Sequence, residues 1–79
     1  MSDITVSIQL NRRQAEAYLK YLISQYELAI ADHWYADPYR YTPEGLRTRR
    51  VIEDHPHIAG LGRTARELRN QLKAQELQA

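Results

Sequence analysis

The chain has 79 residues, no cysteine and a formal net charge of +1. Disulfide bonds and cysteine-ligated zinc are excluded, and the charge is far from that of a dedicated nucleic-acid-binding domain. A chain this short forms a single domain, 1–79, and its small core stabilises a monomer only weakly, so association with another chain is expected. No apolar run is long enough to span a bilayer.

The first predicted element is a strand at residues 4–10, in which apolar and polar residues alternate. Its apolar side carries Ile4, Val6, Ile8 and Leu10. No other segment alternates as clearly, and the free backbone edge of a lone strand invites another chain. We therefore predict a homodimer in which two copies pair through this strand. Two other mates remain open: residues 39–42 of the same chain, and a partner protein that adds a strand.

A long amphipathic helix, 12–36, is predicted next. Asn11 has the features of its N-cap, and Gln14 completes a capping box. From Ala15 onward, apolar residues recur at steps of three and four and form one core-facing side. The helix is expected to end before Pro38, because a residue that precedes proline disfavours the helical conformation.

The same helix carries a second apolar row, away from the core-facing side. The members of this row are Ala17, Tyr21, Leu28 and Tyr35. Two interpretations stay open: these are ordinary surface residues or lie under the central loop, or they form a second contact surface for another chain. We include Tyr21 and Leu28 in the predicted dimer interface, together with the apolar residues of the strand.

The central region, 37–62, is rich in aromatic, basic and proline residues. A short helix is predicted from Pro43 to about Asp54, because proline is favoured at the first helical position. The motif HPH is expected to interrupt the helical conformation after this helix. The rest of the region is predicted to be loop.

The last predicted element is a C-terminal helix, 64–77. Thr64 and Glu67 form a second capping-box pattern, and an apolar row follows at Ala65, Leu68 and Leu72. These elements together predict a mainly helical α+β fold. In this fold the long and C-terminal helices pack as an antiparallel hairpin on the apolar face of the strand.

The candidate binding residues lie in and beside the central region. Aromatic residues interleaved with arginine are typical of protein interfaces and of surfaces that bind nucleic acid. The predicted partner-binding residues are Trp34, Tyr35, Tyr39, Arg40, Tyr41, Arg47, Arg49 and Arg50. The alternative is a solvated basic helix packed by its tyrosines. Because the net charge is close to zero, we favour a protein partner. The second hypothesis is a small transcriptional regulator that contacts phosphates through Arg47, Arg49 and Arg50.

Metal binding and catalysis have little support in the sequence. His33, His55 and His57 are potential metal ligands, but their spacing matches no recurrent metal motif. There is no nucleophile elbow, zinc-protease motif or P-loop. A short chain with a helical core also has little room for a substrate cleft. We therefore predict a protein that is not an enzyme and needs neither metal nor cofactor.

The stretch ITVSIQLNRRQAEAYLKYLISQYELAI resembles the opening of many short accessory proteins of bacteriophages and prophages, which run from a strand through a polar cap into a long helix. The resemblance extends to the final helical segment, whereas the region Trp34–Ile58 falls outside it. It implies a small binding protein, often dimeric, that inhibits a host protein, as anti-CRISPR proteins do. The expected location is the cytoplasm, in the host cell if the protein is phage-encoded.

Overall fold

The computed structural model describes residues 3–78, and this part of the chain contains three α-helices and no strand. The elements are α1 (Arg12–Trp34), a 3₁₀ turn (Tyr39–Tyr41), α2 (Glu44–Asp54) and α3 (Pro56–Gln78). The predicted α+β fold is therefore wrong, and the fold is all-helical. No described helix is long and apolar enough to cross a membrane.

Residues 4–10, which we call the N-terminal arm, run in non-helical conformation and belong to no β-ladder. Alternation makes a strand only where a second backbone segment accepts its hydrogen bonds, and the described chain supplies none. Residues 39–42, which were one of the possible pairing partners for the predicted strand, begin with the 3₁₀ turn instead. Ile4, Val6 and Ile8 are consequently 91%, 79% and 66% exposed.

α1 begins where the sequence predicts it. The side chain of Asn11 accepts a hydrogen bond from the Gln14 backbone N–H at 2.8 Å, and the side chain of Gln14 accepts one from the Asn11 N–H at 3.0 Å. This reciprocal pair satisfies backbone donors that the first turn leaves free. The predicted capping box is confirmed, and the helix ends at Trp34, just short of the predicted boundary.

α3 begins at Pro56, eight residues before the predicted start at 64. The HPH motif interrupts the helix at His55 alone, because proline fits the first turn of a helix, where no backbone N–H is needed. Thr64, the predicted cap, lies inside α3, and its hydroxyl donates to the carbonyl of Gly60 at 2.7 Å. The second capping-box prediction is therefore wrong.

α1 and α3 form an antiparallel hairpin, as predicted, although no strand lies against it within the described residues. Three facing pairs mark its length: Arg12 with Glu76, Tyr26 with Gly62, and His33 with His55. In each pair the two residue numbers add to 88, so the register does not slip. At about 1.5 Å per residue, the span from Arg12 to His33 is about 32 Å.

The largest buried cluster lies where α2 joins the hairpin. Val51 of α2 and Ile58 of α3 are fully buried, and Tyr39 of the 3₁₀ turn packs with them. Further along the hairpin, the buried apolar residues are Ala15, Leu22 and Ala65. The molecule is elongated, with extents of 47 × 30 × 18 Å and a radius of gyration of 15.2 Å. A compact chain of this length has a radius of about 12 Å.

Candidate functional site

Arg47 of α2 is buried and anchors the connection between α1 and α2. Its Nη2 donates to the carbonyl oxygens of Thr42 at 3.0 Å and of Arg40 at 3.3 Å, and its Nε donates to Thr42 at 3.3 Å. The guanidinium carbon also lies 4.7 Å from the centre of the Trp34 ring. A planar guanidinium can make both kinds of contact at once. Arg47 and Trp34, both predicted to bind a partner, therefore hold the fold of the chain itself.

Tyr39 is also part of the core rather than an exposed loop residue. Its hydroxyl donates to Oδ2 of Asp54 at 2.8 Å and lies 3.1 Å from Nε2 of His55. Burial raises the pKa of the Tyr39 hydroxyl, and the hydrogen bond to the Asp54 carboxylate and its negative charge act in the same direction, against the opposing charge of Arg50. The phenol is neutral at physiological pH. The expectation that Tyr39 faces a partner does not fit this position.

The connection after α1 presents a different group of residues to solvent, which we call the central surface: Tyr35, Asp37, Arg40 and Tyr41. Tyr35 is 78% exposed and Tyr41 is 72% exposed. Arg40 joins two other members, because its Nε pairs with Asp37 and its guanidinium carbon lies 4.7 Å from the centre of the Tyr41 ring. Three of the predicted partner-binding residues are therefore exposed on one short connection.

The three arginines of α2 are not brought together as a phosphate-binding cluster. Arg49 pairs with Glu53 at 3.2 Å, and Arg50 pairs with Asp54 at 3.7 Å, each one helical turn further along. Arg47 faces the interior. A phosphate would have to displace two carboxylates and would have no access to the third arginine. This arrangement gives the nucleic-acid hypothesis less support than a protein partner.

The histidines meet where α2 joins the hairpin. The rings of His33 and His55 are stacked, with centroids 4.1 Å apart, and His57 meets His55 edge-on at 6.1 Å. Within residues 3–78, no group of three or more His, Cys, Asp or Glu side chains is placed to hold a metal ion. The stacking packs the end of α1 against His55, the residue between α2 and α3, and does not make a ligand set.

A second exposed surface lies at the opposite end of the hairpin, in an open cavity of about 770 Å³ that we call the arm groove. The N-terminal arm bounds it, and the remaining apolar lining comes from Ala15 and Tyr18 of α1 and Leu68 and Leu72 of α3. The predicted dimer-interface residues Ile4, Val6, Ile8 and Leu10 all line this groove. Tyr21 and Leu28 are exposed on α1 outside it, at 56% and 57%.

Sequence reasoning missed the role of Leu68 and Leu72, which it assigned to an ordinary core row. The sequence contained one signal for their exposure: the short α2 cannot cover two long helices along their whole length. In the structure both leucines are only partly buried. The groove is therefore the exposed end of the apolar layer between α1 and α3.

The architecture defines the chain as a helical hairpin with one short additional helix and two separate exposed surfaces. No protein-family model, curated protein or solved structure matches it.

Proposed function

We propose that this chain is a small non-enzymatic binding protein that docks on another protein through the central surface. The observation that carries the proposal is the exposure of Tyr35 and Tyr41 on a connection that Arg47 holds in place from inside. Tyrosine and arginine are common among the residues that contribute most to binding free energy at protein interfaces. A connection already held in one conformation loses little entropy on binding.

The charges of the central surface also suit a protein partner. Asp37 and Arg40 form an ion pair beside Tyr41, so the surface combines both signs of charge with aromatic area. A polar rim around aromatic anchors is typical of protein interfaces, whereas a phosphate backbone favours unpaired cations. The first segment resembles phage accessory proteins in its capped long helix, although the strand of that pattern does not form, and this resemblance makes a host protein the expected partner and inhibition the expected effect.

The test compares three tagged proteins as baits: the wild type, the double variant Tyr35→Ala/Tyr41→Ala, and the control Tyr21→Ala. Tyr21 is also an exposed tyrosine, but it lies on α1 outside the central surface. Lysate of the native cell, with and without nuclease treatment, is passed over each bait, and the captured proteins are quantified by mass spectrometry. The protein enriched by the wild type is then purified and titrated against all three.

We expect the double variant to bind the partner about 30-fold more weakly, which corresponds to about 2 kcal/mol at an interface hot spot. The Tyr21→Ala control should bind like the wild type. Equal affinities for all three proteins would contradict the proposal, as would capture that disappears once the lysate is treated with nuclease.

A further inference from the structure

The chain exposes more surface than a compact monomer of its mass. Its accessible surface is 6698 Å², whereas a compact 9.3 kDa monomer has about 5,000 Å². The excess of about 1,700 Å² is roughly twice the area that each partner contributes to a standard stable interface. A second copy of the chain could therefore cover one large surface and still leave the other free.

The N-terminal arm and the arm groove have matching chemistry. The arm carries no charged residue, and its apolar side chains Ile4, Val6 and Ile8 are mostly exposed even though they border the groove. The groove combines the side chains of Leu68 and Leu72 with uncharged Gln71 and Gln75 on α3, and the charged residues Arg12, Arg63 and Glu67 also line it. An uncharged apolar segment can cover the leucines of this lining without bringing a further charge into the groove. The arm of the same chain leaves about 770 Å³ of this space open.

We infer that the arm groove is a homodimer interface, in which the N-terminal arm of each copy covers the groove of the other. A two-fold arrangement uses the same arm and groove twice, so one self-complementary contact covers both copies. The apolar segment that suits the leucines of the groove is thus present on every copy. This inference is independent of the proposed function, because the central surface lies at the other end of the hairpin.

The first test measures the solution mass by light scattering at tens of micromolar protein. We expect twice the chain mass of 9.3 kDa for the wild type and for Thr5→Asp, and the monomer mass for Ile8→Asp. Both variants add one negative charge to the arm, but only Ile8→Asp places it in the groove lining and removes an apolar side chain there, because Thr5 is an exposed arm residue outside the lining. A monomeric wild type would overturn the inference, and so would an Ile8→Asp protein that stays dimeric.

The second test asks whether the arms cross between copies and does not depend on a disruptive variant. The chain has no cysteine, so each copy can be given a single one. An Ile8→Cys chain is mixed with an isotopically labelled Gln71→Cys chain and treated with a short bis-maleimide. Any cross-linked product that contains one labelled and one unlabelled chain must join separate copies.

The matched control replaces Gln71→Cys with Asn70→Cys, the neighbouring exposed residue of α3 outside the groove lining. We expect at least a tenfold higher yield of mixed product for the pair with Gln71→Cys. Equal yields from the two pairs would place the contact elsewhere and overturn the exchange of arms.

Discussion

The ring of Tyr26 lies directly against Gly62 at the middle of the hairpin. A Cβ atom added to Gly62 would lie 3.2 Å from Cε2 of Tyr26, whereas one added to Gly60 meets nothing within 4 Å. Both glycines lie inside α3, where alanine is favoured over glycine by about 1 kcal/mol. Gly62 is therefore the position at which the absence of a side chain lets the aromatic ring of α1 approach the backbone of α3.

Gly60→Ala and Gly62→Ala should have different effects on the free energy of unfolding. Gly60→Ala should stabilise the protein by about 0.5–1 kcal/mol, because it gains helix propensity in open space. Gly62→Ala should be less stable than Gly60→Ala by about 1 kcal/mol, because the Tyr26 ring has to shift by a few tenths of an ångström to admit the new methyl group. Urea denaturation followed by circular dichroism measures both, at one protein concentration. Equal stabilisation by the two changes would show that Tyr26 has room to adjust.

Arg47→Lys should destabilise the protein although it keeps the positive charge. Lysine cannot donate to the carbonyls of Thr42 and Arg40 and also stack on Trp34, so we expect a loss of about 1–3 kcal/mol. Arg49→Lys is the control, since Arg49 is exposed and its ion pair is worth little. Thermal unfolding of the two variants compares them. A stability equal to that of the Arg49→Lys control would show that the contacts of Arg47 do not stabilise the fold.

Tyr39 should make the protein sensitive to alkaline pH. Burial raises the pKa of its hydroxyl in the folded state above the ordinary value of 10.0, so the folded state holds this proton more tightly than the unfolded state does. The resulting stability is present below pH 10 and is lost as the pH rises through the folded pKa. The free energy of unfolding, measured from neutral pH to above pH 10, should therefore fall more steeply for the wild type than for Tyr39→Phe.

Tyr41→Phe provides the control for this pH series. Tyr41 is 72% exposed, so its replacement should leave the alkaline slope of the wild type unchanged. The same slope for the wild type and for Tyr39→Phe would mean that the buried phenol does not govern the alkaline transition.

Asn11→Ala should lower stability by about 1 kcal/mol, because it removes the side-chain oxygen that accepts a hydrogen bond from the Gln14 backbone N–H. Asn70→Ala makes the same chemical change at an exposed interior position of α3 and should be neutral or slightly stabilising. Urea denaturation of the two variants gives the difference. No difference between them would show that water replaces the cap at no cost.

Local patterns predicted α1 well because both of its signals are local. The capping box joins residues three apart, and the apolar side repeats every turn, so neither depends on the rest of the fold. The capping-box pattern at Thr64 is of the same kind as that at Asn11, but it gave a wrong helix start. A threonine hydroxyl can equally well donate to the carbonyl of Gly60 inside a continuing helix. The alternation of apolar and polar residues in the arm gave a wrong strand prediction for a related reason. A strand needs a second backbone segment to pair with, and periodicity does not reveal whether one is present.

The candidate site was predicted in part. Tyr35, Arg40 and Tyr41 are exposed as expected, whereas Arg47 and Tyr39 are buried. Their burial depends on contacts across the turn between α1 and α2, such as the stacking of Arg47 on a ring thirteen positions earlier. Composition marks such residues as suitable for binding but does not distinguish a partner in another molecule from one in the same chain.

The constant register of the hairpin has a consequence for valency. The arm groove and the central surface lie at opposite ends of a contact that spans about 32 Å, almost twice the 18 Å thickness of the molecule. Two copies joined at their arm ends would therefore carry two separate central surfaces at their outer ends. Such a dimer could bind two sites of an oligomeric target at once and hold it by avidity, with each single contact remaining weak.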